Sequence, residues 1–332
     1  MPISSHPILF NSNPSKRLVR LRQTVLVLAL YFAGSILGYA NSDLAETPNF
    51  KRFLSRPIVA LTTDFGLDNE AVGLCHGAIL RVDSTISIVD LCNQIKPFDI
   101  RQASLALKRT ECFPAGTVFV TVVDPGVGTD RGAIAIKTRE GFYFVAPNNG
   151  ILTEVVSQQG VESAFLIDPL KVNPGWKQGT FDGRDLFSPA GAILASRHGD
   201  LHALGRPIKA EGITLLPPLA AKIDTSRGDI LCHFIKTDRP YGNAWTDVSE
   251  KDLAKIGIKS GDTLRLEFDS IGLNVPFVRT FGNVPKGAPL AYLDSDGGLA
   301  FALNMKNFVD FYHWTEGREL VIKRVPSKNI GD

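Results

Sequence analysis

The period of the hydrophobic pattern changes along the chain, and that change outlines two kinds of structure. Residues 57–63 (PIVALTT) form a short apolar, β-branched run that reads as a buried strand. Ala71, Leu74, Cys75, Ala78, Ile79 and Val82 follow at helical spacing on one face, with Asp68 placed to cap the helix. A second apolar strand is expected at 86–91, a helix at 99–109 and a third strand at 117–123. Further strands are expected at 132–138 and 142–146, and helices near 150–158 and 185–196. Strands alternating with helices predict an α/β sandwich domain on a mostly parallel sheet, covered on both faces. The texture shifts after about residue 212, and Pro217-Pro218 marks a boundary. Beyond it, short runs at 229–237, 263–268, 276–280, 288–293 and 319–324 alternate with turn signals and predict a small β-barrel. The expected domains are therefore 57–212 and 213–328.

The first forty residues follow different rules. They contain no acidic residue; Lys16, Arg17, Arg20 and Arg22 precede an apolar run at 24–37, and Gly38-Tyr39-Ala40 supplies small residues for cleavage. This order predicts a secretory signal peptide at 1–40, cut after Ala40, and a polar, mobile stretch at 41–56. The apolar run is shorter than the roughly 20 residues a bilayer span needs, so contact with the membrane is expected only through the signal peptide. The mature protein is expected to be periplasmic or secreted. At 332 residues, with 44% hydrophobic residues, the chain has material for two cores. A net charge of +2 with no basic face argues against nucleic acid. Cys75 and Cys92 fall on apolar elements, so buried free thiols are expected there, although export permits disulfides.

Several chemistries are excluded by their missing motifs. There is no GxxxxGK[ST], HExxH or GxSxG, and the histidines are scattered. Gly126, Gly128 and Gly132 lead into a strand rather than a helix, which argues against a dinucleotide site. No metal and no cofactor are expected.

What remains is a set of polar loops placed after strands, where ligands of open α/β sheets bind. Thr62-Thr63-Asp64-Phe65-Gly66 ends the first strand, and a carboxylate there can accept both hydroxyls of a ribose. Val123-Asp124-Pro125-Gly126-Val127-Gly128-Thr129 ends the third, and Arg131 is near enough to fold back onto Asp124. Asn148 lies in the turn APNNG, and Thr180-Phe181-Asp182-Gly183-Arg184-Asp185 precedes a helix. In the second half, Asp238-Arg239-Pro240-Tyr241-Gly242-Asn243-Ala244-Trp245 mixes an acid, aromatics and an amide, and Ser295 sits in the turn DSDGG.

In this order the loops resemble the S-adenosyl-L-methionine (SAM) hydroxide adenosyltransferases, relatives of the fluorinating and chlorinating enzymes, over roughly residues 57–325. The resemblance implies a homotrimer that holds SAM, as substrate, between the first domain of one subunit and the second of its neighbour. It implies that Asp64 holds the ribose hydroxyls, with Phe98 and Phe181 packed near the sugar. It places Asp238 on the methionine ammonium and Ser295 on the methionine carboxylate. Tyr241, Asn243 and Trp245 would form the adenine side, and Asn148 is a further substrate-binding candidate. The implied reaction is in-line attack of water at ribose C5′, giving adenosine and methionine, with Asp124 and Arg131 at the nucleophile. The family's third nucleophile residue is a histidine, where this chain has Asp182. That departure leaves a non-catalytic SAM- or adenosine-binding protein as the alternative reading. Two carboxylates at the nucleophile site would repel halide and so disfavour a halogenase.

Overall fold

A computed structural model describes residues 56–325. The expected signal peptide, its cleavage site and, apart from Arg56, the polar stretch 41–56 lie outside the described residues, as does the end of the expected barrel domain at 326–328. In the first half, β1 (Ile58–Thr63), β2 (Ser87–Cys92), β3 (Val118–Val122), β4 (Ala133–Thr138), β5 (Tyr143–Pro147), β6 (Val161–Ile167) and β7 (Gly205–Ile208) pair in the order β2-β1-β3-β5-β4-β6-β7. The β2–β1, β1–β3 and β3–β5 pairings are parallel, and the remaining three are antiparallel. The sheet is therefore mixed, with its parallel part holding β1 and β3, the two strands that end in the TTDFG and VDPGVGT loops.

Both faces are covered, which is why these strands read as continuous apolar runs. Val59, Leu61, Val118 and Val120 face α1 (Ala71–Val82) and the helix at Ser188–Ser196, while Ala60 and Phe119 face the opposite core with α2 (Ile100–Ala106) and α3 (Thr153–Gln159). The Ser188–Ser196 helix, α4, lies so close to the sheet that a Cβ on Gly191 would come within 2.2 Å of a Val120 methyl. The α1 stripe differs from its expected form. Val72, Cys75 and Ile79 are buried, while Leu74 and Val82 are exposed, because only one flank of the helix meets the sheet. Asp68 does not cap α1; Asn69 Oδ1 accepts the Ala71 N–H instead, at 2.8 Å. All four cysteines are free thiols, Cys75 and Cys232 buried, Cys92 half-buried and Cys112 exposed.

The second half is an antiparallel sheet in the order β12-β11-β15-β9-β10-β14-β13, with β8 (Lys222–Asp224) paired to β9. Its strands are β9 (Asp229–Asp238), β10 (Asn243–Ser249), β11 (Thr263–Phe268), β12 (Ile271–Pro276), β13 (Pro289–Leu293), β14 (Gly298–Leu303) and β15 (Glu319–Val325). A bridge from Phe277 to Ala291 brings the two edge strands together, so the sheet is nearly a closed barrel. Trp314 fills its interior, with its ring 4.7–6.2 Å from those of Phe234, Phe268, Phe301 and Phe308. The run expected as a strand at 276–280 is not one; β12 ends at Pro276, which has no N–H to donate to a ladder.

Candidate active site

The loops after the parallel strands converge on a cavity of about 280 Å³ beyond their carboxyl ends. Asp64, Phe98, Asp124, Phe181 and Asp182 all line it, so five sequence-expected site residues from four loops share one space. Asp64 is half-buried at the end of β1, and its Oδ2 accepts the Phe98 N–H at 2.9 Å. Burial raises its pKa and the nearby Asp124 charge adds to that, opposed by hydrogen bonds from the Phe98 and Asp64 N–H groups. Phe98 has φ of +67°, a left-handed conformation that costs a non-glycine residue about 1–2 kcal/mol, and the residue is 72% exposed where it lines the cavity. The bond to Asp64 holds it in that conformation. On the opposite wall, Phe65 meets Phe181 edge to face at 5.5 Å. Gly183 makes room for this pair, because a Cβ there would approach the Phe65 ring to 2.8 Å.

Beside Asp64 lies a buried charge cluster. Arg131 does fold back: its Nε donates to Asp124 Oδ2 at 2.7 Å, and its Nη2 contacts the same oxygen. Nη2 also donates to Asp182 Oδ2 at 2.8 Å. The three side chains are only 13%, 5% and 7% exposed, for Arg131, Asp124 and Asp182 in turn. Asp182 is further fixed by the Trp176 indole N–H at 3.2 Å, and the guanidinium lies 5.0 Å over the Phe187 ring. Arg184 is not the partner of Asp182; it forms a two-pronged pair with Asp185 at 2.7 Å. The segment Gly183–Phe187 is a π-helical turn that leads into α4, a distortion common at functional sites.

Asp238, Tyr241, Asn243, Trp245 and Ser295 line a second, larger cavity on the barrel, about 820 Å³. Asn243 donates to Asp238 Oδ2 at 2.9 Å, and Lys236 Nζ stacks 4.5 Å over the Trp245 ring. Among the described residues the two cavities share no lining residue.

Asn148 lines neither cavity, contrary to its expected role. Its amide is spent on the chain between the two sheets, donating to Gly212 O at 2.9 Å and accepting the Thr214 N–H at 2.8 Å. Asn149 likewise braces Val123 O, at 2.9 Å. Trp176 and Phe187 carry no site signal in the sequence: Trp176 lies in the irregular segment before Thr180 and Phe187 ends the π-helical turn, and each meets the cluster only in the folded chain. An acid at 182 beside Arg184 offers two candidate pairings at sequence level, and only the fold selects Arg131.

The family's N-terminal domain, described as the SAM hydroxide adenosyltransferase N-terminal domain, matches residues 59–205, and its C-terminal domain matches residues 232–321. The chain belongs to the SAM hydroxide adenosyltransferase family. A relative named (R)-S-adenosyl-L-methionine hydrolase, from Thermus thermophilus, is 35% identical over 257 residues, covering 75% of this chain and 92% of its own. A protein named fluorinase, from Nocardia brasiliensis, is 29% identical over 293 residues, covering 81% of this chain and 97% of its own. A crystal structure of a conserved protein from Thermotoga maritima superposes with a TM-score of 0.74 at 30% identity, covering 80% of this chain and all of that one. The relatives therefore carry two activity names, a SAM hydrolase and a fluorinase.

Proposed function

We propose that this chain hydrolyses SAM to adenosine and L-methionine. The observation that carries the reading is the shared cavity: the ribose-type carboxylate Asp64 lines one space with Asp124 and Asp182, the two carboxylates that Arg131 pairs from behind the lining. Water oxygen attacks C5′ in line with the C–S bond, the bonding pair leaves with sulfur, and methionine departs as a neutral thioether. That leaving group needs no acid. The demand falls on holding and orienting water. Asp124 Oδ1 accepts only a 3.2 Å bond from the Gly126 N–H, so it keeps capacity for a water proton. That proton passes to the carboxylate or to solvent as the C–O bond forms. Two buried carboxylates against one guanidinium leave the cluster net negative, which favours a neutral water over a halide ion.

Incubation with SAM is expected to release adenosine and methionine in equal amounts, with no 5′-halogenated product in chloride or fluoride. Asp124→Asn is expected to lower kcat by about 100-fold or more with little change in KM, since general-base assistance of this kind contributes roughly 10²–10⁴. SAM binding without turnover would make the chain a SAM-binding protein instead, and a KM effect without a kcat effect would remove Asp124 from the chemistry.

The separate cavities support a site shared between copies, with the ribose side from one and the methionine and adenine side from another; a homotrimer is proposed on the family resemblance, and export after cleavage at Ala40 on the basic, apolar and small-residue order of the first forty residues. Sedimentation and N-terminal sequencing of the mature protein check both parts: a trimer beginning at Asn41 is expected. A monomer overturns the first part, and a chain beginning at Met1 the second.

A further inference from the structure

Ser295 stands between two acids, Asp294 and Asp296, which is an unfavourable place to receive a carboxylate. The fold resolves the conflict from the other half of the molecule. Asp294 lines the barrel cavity beside Ser295, but its Oδ1 is engaged by its own loop, accepting the N–H groups of Asp296 at 2.8 Å and Gly298 at 2.9 Å. Asp296 is neutralised by Arg109, whose Nε donates to Oδ1 at 2.6 Å. Arg109 comes from the 3₁₀ turn Leu107–Cys112 that follows α2, at the kinked residue of that turn. Its Nη2 also donates to Ser295 Oγ. The salt bridge to Asp296 keeps this guanidinium charged, raising its pKa above the ordinary arginine value.

The direction of that second bond matters. A serine oxygen that accepts from a guanidinium has its own proton left to donate, and Ser295 lines the large barrel cavity. We propose that Arg109 is a positioning residue that turns Ser295 into a donor for the substrate carboxylate and cancels the charge of Asp296 that would repel it. The assignment rests on the SAM reading above and deepens it. It makes the α/β half of a chain responsible for carboxylate selection in the barrel half of the same chain.

The test is calorimetric titration of the purified protein and of Arg109→Met and Arg109→Lys with two ligands, SAM and decarboxylated SAM, which lacks only the carboxylate. Arg109→Met is expected to weaken SAM roughly tenfold or more, the scale of one charge-assisted contact, and to leave decarboxylated SAM unchanged. Arg109→Lys, which keeps the charge, is expected to recover part of the loss. Equal losses for both ligands would reduce Arg109 to a structural contact between the halves, and no loss for either would overturn the assignment. Wild-type protein that binds both ligands equally would overturn it while leaving the SAM reading standing. Wild-type protein that binds neither would overturn both.

Discussion

Arg131→Met is expected to destabilise the protein by about 3–5 kcal/mol, the cost of leaving a buried ion unpaired. Methionine preserves most of the stem's packing against Phe187, so the loss reports charge rather than volume. Without the guanidinium, Asp124 and Asp182 face each other at 5% and 7% exposure with no counter-charge from this residue, and only the Trp176 and Gly126 N–H bonds remain. Denaturant unfolding measures the loss. Adding Asp124→Asn and Asp182→Asn to Arg131→Met is expected to recover much of it, because the penalty belongs to the uncompensated carboxylates and the three changes are coupled. A loss below about 1 kcal/mol, the range of exposed pairs, would show that water screens the cluster. The cluster would then be too wet to align a single nucleophile.

Asp64→Asn is expected to separate stability from function. Burial gives the Asp64 carboxyl a raised pKa in the folded chain, so the folded state binds its proton more tightly than the unfolded state does. The ionised form therefore costs stability at neutral pH, and the cost fades as pH falls through the raised value. Asparagine carries no such cost and can still accept the Phe98 N–H. The variant is expected to melt higher than the wild type near neutral pH, with the gap closing in acid. Its SAM affinity is expected to fall about tenfold or more if Asp64 holds the ribose hydroxyls as proposed, since a charged acceptor is replaced by a neutral one. Thermal melts across pH and calorimetric titration read the two effects. A variant that binds SAM as tightly as the wild type would leave Asp64 as a support for the Phe98 backbone. One less stable at neutral pH would show that the hydrogen bonds to the carboxylate outweigh its desolvation.

Most of the architecture was legible because it depends on local periodicity. The strand at Ile58–Thr63, the helix after it and the third strand at Val118–Val122 follow from apolar runs and helical spacing alone. Other strands carry a weaker local signal: Val161–Ile167 and Asn243–Ser249 mix polar and apolar residues, and Gly298–Leu303 is a short run of Gly, Ala, Leu and Phe with no β-branched residue. Their strand character comes from the neighbours they pair with, not from their own pattern. The loops that meet at the first cavity were legible too, since Asp64, Asp124 and Asp182 each stand at or beside an element end in the sequence pattern, and all three line that cavity. Asn148 misled because an amide in a turn looks the same whether it faces a ligand or a passing strand of backbone.

The sequence by itself determined the first strands and helices of the α/β half, the family and the identity of the polar loops, and it marked Asp182 as the departure from the family pattern. It also offered Arg131 as a partner for Asp124, because seven residues of glycine-rich chain let the arginine fold back, and the structure makes that pair. Tertiary structure decided everything that spans distant loops. Arg131 reaches Asp182 across 51 positions, Phe98 is held by Asp64 across 34, and Arg109 meets Ser295 across 186. Asp182 thereby became one of three members of a buried ion cluster, and the expected substrate residues divided between two cavities. The physical reason is the range of the forces. Periodicity, capping and turn chemistry act over a few residues and are written locally. Ion pairing and desolvation depend on which loops the packed sheet brings within about 4 Å of each other, and no local pattern encodes that distance.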